Sequence, residues 1–85
     1  MTIQYHKNFL KKYKKLSLKL QTKIQKQISF FINSPYSPQL RNHPLKGKYK
    51  IYRSINITGD WRAIFKEQNN NIIFVEIGTH SELFG

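Results

Sequence analysis

The chain has 85 residues, a length that predicts one domain with a thin core. It lacks cysteine, which excludes disulfides and thiolate metal sites, and no apolar run approaches the roughly 20 residues that cross a membrane as a helix. Fifteen Lys and Arg face four Asp and Glu, a formal net charge of +11, while the hydrophobic content of 39% is too high for a typical disordered chain. The opening MTIQYHKNFL lacks the apolar centre of a signal peptide, so a soluble, cytoplasmic protein is expected.

The charge is unevenly placed. Residues 1–59 contain no acid; the four acids are Asp60, Glu67, Glu76 and Glu82. A compact chain this positive repels itself, a cost tolerated mainly where the partner is a polyanion. Nucleic acid ranks first, an acidic protein second, an anionic membrane third.

Thr2 to Tyr5 alternates polar and apolar residues and predicts a short first strand. From His6 the period becomes helical. Phe9, Tyr13 and Leu16 form one apolar stripe, and Leu20, Ile24, Ile28 and Phe31 a second, each backed by lysines. Ser17 between them is an N-cap candidate, so two helices are expected at about residues 6–16 and 18–33. Asn33 to Pro38 ends the second, because proline cannot continue a helix. A loop follows through Arg41, His43, Pro44 and Gly47. Three strand-like runs come next: Tyr49 to Ile57, Trp61 to Phe65 and Ile72 to Ile77, joined by short turns. The expected order is β-α-α-β-β-β, class α+β, with a helical hairpin packed on an antiparallel sheet.

Few residues can carry acid–base chemistry. His6 lies beside the first strand in a lysine-rich stretch and reads as an ordinary surface residue. His43 sits in the loop, Asp60 opens the third strand and His80 follows the last. Meander order brings Asp60 and His80 to one edge. His43 precedes the second strand, whose start lies at the opposite edge, so it reaches them only if its loop spans most of a strand. If the three converge, RNA cleavage is the natural chemistry. A ribose 2′-OH needs a base, the leaving 5′-oxygen needs an acid, and histidine does either job near neutral pH. Arg53 and Arg62 are candidate charge stabilisers. Trp61, Phe84 and Tyr52 offer flat faces for a splayed base. The spacing matches no standard metal motif, and no cofactor is needed. On spacing alone, a nuclease and a non-catalytic binding module stand level.

Three motifs in order, HPLKG (His43 to Gly47), YRSINITGDWRAIF (Tyr52 to Phe65) and IGTHSELFG (Ile77 to Gly85), resemble the RelE/ParE toxin superfamily, within it the YafQ-type branch of type II toxin–antitoxin systems. The resemblance covers most of the chain. It implies a ribosome-dependent mRNA interferase and a cognate acidic antitoxin. It also implies acid–base roles for His43, Asp60 and His80, and a substrate pocket shaped by Trp61 and Phe84. Arg62 would contribute electrostatically. Arg53 would hold local structure or meet the antitoxin. Some YafQ-type toxins carry a further histidine where this chain has Asn56, which can orient a phosphate or 2′-OH but exchanges no proton at neutral pH. A gyrase poison of ParE type, or a non-catalytic RNA- or ribosome-binding module, is the alternative on the same fold.

Overall fold

The computed structural model describes all 85 residues. Strand β1 (Thr2–Tyr5) leads into helices α1 (Lys7–Lys14) and α2 (Leu18–Asn33). Strands β2 (His43–Pro44), β3 (Arg53–Asn56), β4 (Trp61–Gln68) and β5 (Asn71–Thr79) follow, then a short helix, α3 (His80–Phe84). No helix is long and apolar enough to cross a membrane.

Both long helices start where side chains satisfy their free N–H groups. The His6 imidazole accepts from Asn8 N at 3.1 Å and Ser17 Oγ accepts from Leu20 N at 3.2 Å. Their apolar stripes then meet the sheet. Phe9, Ile24, Ile28 and Phe31 pack with Ile55, Ile57, Ala63, Phe65, Ile72, Phe74 and Ile77 in one buried cluster. Phe31, Phe65 and Phe74 meet within 6 Å, two of the three contacts edge-on.

The sheet order is β1-β5-β4-β3-β2. The meander is antiparallel as expected, but β1 joins β5 in parallel, so the sheet is mixed. The β4–β5 hairpin closes through Asn69 and Asn70 at φ 52° and 66°, the left-handed pair that a two-residue hairpin turn needs and that asparagine tolerates. A bulge follows: Ile64 faces Glu76 but Phe65 faces Phe74, so Val75 is the extra residue. That extra residue lets Phe74 and Ile77, three apart, both reach the core.

The second predicted strand starts later than its alternation suggests. Gly47 takes φ +66° and opens a 3₁₀ turn, Gly47–Tyr49, and Ile51 is exposed. Regular pairing begins only at Arg53. The chain before it folds back instead: Leu45 N donates to Tyr52 O at 3.0 Å, and His43 and Pro44 pair antiparallel with Ser54 and Arg53. His43 therefore reaches the rest of the sheet as a fifth strand, not by a loop stretched across it.

Candidate active site

Strand alternation divides the sheet into two faces. Ile55, Ile57, Ala63 and Trp61 look toward the helices. Residues directly opposite one another in antiparallel strands share a face. Asn56, Arg62 and Gly78 thus form one row on the other face, and His43, Ser54 and Ile64 the next.

Helix α3 folds over this face. Thr79 Oγ1 accepts from Glu82 N at 3.2 Å while Glu82 Oε1 accepts from Thr79 N at 2.8 Å, a reciprocal capping box. The backbone hydrogen bond from Thr79, then its side chain, holds the Glu82 carboxyl below its ordinary range. The backbone N–H of His80 donates to Asp60 O at 2.9 Å, tying the start of α3 to the β3–β4 turn. Leu83 is buried against Gly78, and Phe84 sets its ring edge to His80 at 5.2 Å and to Tyr49 at 6.3 Å.

The result is an open cavity of about 430 Å³ lined by Arg41, His43, Leu45, Asn56, Arg62, His80 and Phe84. No acid lines it. The arrangement fixes the His43 tautomer. Its Nδ1 lies 2.7 Å from Arg41 O, and a carbonyl only accepts, so Nδ1 carries the proton and Nε2 of the neutral ring has a free lone pair. Arg41 presents that carbonyl from a left-handed backbone, φ 48° and ψ 44°, at a strain on the order of 1 kcal/mol. The His80 ring makes no hydrogen bond within the protein. Arg62 anchors Nη1 to Thr58 O (3.0 Å) and Trp61 O (3.1 Å), leaving Nε and Nη2 unpaired.

Five of the nine sequence-derived candidates meet here: His43, Asn56, Arg62, His80 and Phe84. Four do not. Tyr52 packs edge-on with Tyr49, ring centroids 6.1 Å apart, outside the cavity. Asp60 contributes its main-chain carbonyl to His80, while its carboxylate is exposed and outside the cavity. Trp61 precedes Arg62 on the strand and so points the other way, into a groove beside α2. Arg53 also faces away. Its Nε donates to Asn42 Oδ1 at 2.7 Å and its guanidinium lies over Tyr36, 5.6 Å from the ring centroid. Arg41 and Leu45 are additions. Leu45 is the leucine of the HPLKG motif itself, and Arg41 stands two residues before His43, where a turn can return its carbonyl to the ring. No three His, Asp or Glu side chains cluster closely enough to hold a metal ion.

A helical hairpin over one face of a small mixed sheet, with a cationic, histidine-bearing cavity on the other, defines a RelE-like α+β protein. The chain belongs to the YafQ family of bacterial toxins of type II toxin–antitoxin systems, whose family model matches residues 1–85. It is similar to the mRNA interferase toxin YafQ of Escherichia coli (strain K12), 34% identical over 65 residues that cover 74% of this chain and 71% of that protein. The crystal structure of YafQ from E. coli strain BL21(DE3) superposes with a TM-score of 0.80 at 31% identity, covering 98% of this chain and 97% of the other. A chain of the E. coli DinJ–YafQ toxin–antitoxin complex gives a TM-score of 0.76 at 31% identity, covering 98% and 96%.

Proposed function

We propose that the chain is a ribosome-dependent endoribonuclease that cuts mRNA and so arrests translation. The observation that carries this reading is the convergence of two imidazoles, an amide and two guanidinium side chains on one acid-free cavity. The similarity to proteins named mRNA interferase toxin supports the RNA substrate.

The tautomer divides the labour. His43 Nε2 takes the proton of the ribose 2′-OH, and the 2′-oxygen attacks the adjacent phosphorus. The bond from phosphorus to the 5′-oxygen breaks, and the His80 imidazolium protonates that oxygen as it leaves. The products are a 2′,3′-cyclic phosphate and a 5′-hydroxyl. Arg62, through its unpaired Nε and Nη2, and Arg41 stabilise the charge building on the non-bridging oxygens. The Asn56 amide orients the phosphate or the 2′-OH. Phe84 offers a ring to the neighbouring base.

The complex of the relative YafQ with DinJ supports an antitoxin partner for this chain. An apolar groove of about 410 Å³ between α1 and α2, lined by Tyr5, Leu10, Tyr13 and Ile32 among others, suits the apolar face of an amphipathic helix.

The test is expression of wild type beside His43→Ala and His80→Ala, scored for growth arrest and for cut mRNA ends on translating ribosomes. Each variant should abolish both. Cleavage that survives His80→Ala overturns the mechanism, and ribosome binding with no cut ends from wild type overturns the enzymatic reading.

A further inference from the structure

The only tryptophan lies outside the histidine cavity, in a recess of different character. The groove holding Trp61 measures about 570 Å³ and is walled by Ser17, Lys19, Lys23 and Lys26 on one side and Thr58 on the other. Lys19, Lys23 and Lys26 stand four and three residues apart, so one face of α2 presents all three ammonium groups. Like charges at this spacing repel and weaken a helix. Nothing in the fold relieves them. The one ion pair in the protein is Lys12 with Glu76, at 2.9 Å on another helix, and no acid lines the groove. The indole is half-buried, its inner side packed on the core and the rest open to the groove.

A flat aromatic surface beside a row of unbalanced cations is the arrangement that binds single-stranded nucleic acid, the ring stacking a base while the cations track phosphates. A metabolite-sized anion would need donors converging on one point, whereas Lys19, Lys23 and Lys26 are spread along about 10 Å of helix.

The groove adjoins the histidine cavity. Trp61 and Arg62 are successive residues of β4 on opposite faces, and Thr58, which lines the groove, gives its carbonyl to Arg62 Nη1. Thr58 thus links the two, lining the groove itself and anchoring Arg62, which lines the cavity. We propose that the Trp61–lysine groove is a second RNA subsite, which holds the substrate strand outside the cleaved step by stacking one base on Trp61 and pairing its phosphates with Lys19, Lys23 and Lys26. This rests on the reading of the chain as an RNA-cleaving toxin, and it assigns Trp61 a role in substrate grip, not in bond cleavage.

Because Trp61 is the sole tryptophan, its fluorescence reports on this groove alone. Purified protein is titrated with a 2′-O-methyl oligonucleotide, which cannot be cut. Expected are saturable quenching, and a Kd at least ~10-fold weaker in the triple variant Lys19→Gln, Lys23→Gln, Lys26→Gln, with a salt slope shallower by about two, the value for three lost phosphate contacts on a single strand. A labelled oligonucleotide followed by anisotropy should bind Trp61→Leu more weakly than Trp61→Phe, which keeps a ring to stack. Circular dichroism melts confirm that each variant is folded. Absence of quenching overturns the proposal, as does an unchanged Kd and slope in the triple variant. Equal binding of a poly-glutamate peptide at the same salt overturns it in favour of an acidic protein. None of these results touches the nuclease reading, which falls only if mRNA cutting fails in wild type or survives His80→Ala.

Discussion

Leu83 lies over Gly78 so closely that a β-carbon at Gly78 would stand 3.2 Å from both Cγ and Cδ2 of Leu83. Few side-chain contacts are that short, and Leu83 is held by its own burial. Helix α3, which carries His80 and Phe84, thus docks where the sheet has no side chain. Gly78→Ala should push α3 outward, costing about 1–3 kcal/mol as overpacking does. A displacement of the imidazole near 1 Å should lower cleavage on the order of 10²-fold. Gly59→Ala is the control, since its added carbon meets nothing within 4 Å. Thermal melts and cleavage rates on the two variants check this.

The capping box predicts a pH effect at the acid end. Hydrogen bonds from Thr79 lower the Glu82 pKa below its ordinary value of 4.5. A carboxyl that is harder to protonate when folded contributes its full stability above that ordinary value, and loses it as pH falls through the lower folded one. The start of α3 should therefore loosen below about pH 4.5, seen as faster amide exchange at Thr79 and Glu82. Glu82→Ala should show the loosened helix at neutral pH, with reduced cleavage. Glu82→Gln, which still accepts from Thr79 N, should keep most activity and lose the acid-side transition.

The separation of Asp60 from the cavity gives an asymmetric expectation. His43→Ala and His80→Ala should each lower the cleavage rate by about 10²–10⁴-fold, the usual worth of a general acid or base. Asp60→Asn keeps the carbonyl that holds His80 N and should lose less than ~10-fold. Single-turnover cleavage by the three variants decides it, and a loss in Asp60→Asn as large as in the histidine variants would return the carboxylate to the chemistry.

Ser54 is fully buried beneath the site, on the same face as His43, and its Oγ has no hydrogen-bond partner in the protein. Leaving a buried hydroxyl unpaired costs about 1–3 kcal/mol. Ser54→Ala removes the hydroxyl and keeps the β-carbon. It should be stabilising by about 1 kcal/mol, a rise in Tm of ~4–8 °C for a domain of this size. Unchanged cleavage would assign Ser54 to packing, whereas a loss of activity with a raised Tm would mark the hydroxyl as part of the site.

Much of this protein was written locally. Helix α2 falls at 18–33, where Ser17 and the spacing of Leu20, Ile24, Ile28 and Phe31 place it, because capping and an apolar stripe are properties of neighbouring residues. The hairpin turn at Asn69–Asn70 and the Thr79–Glu82 capping box are equally local, although α3 itself was not predicted, its T-x-x-E signal lying beyond an apolar strand run. The histidines, the acid-free first 59 residues and the closing motif were legible as chemistry. The tertiary structure decided which candidates share a face. Strand period 2 puts Trp61 and Arg62 on opposite sides whatever their chemistry, and only burial of Ala63 and Ile55 under the helices says which side is which. His43 meets His80 because residues 45–52 fold back and pair β2 with β3, a contact set by long-range hydrogen bonds that no run of residues announces. The bulge at Val75 likewise reflects the fit of Phe74 and Ile77 into one core, a demand of packing between distant segments and not of sequence beside it.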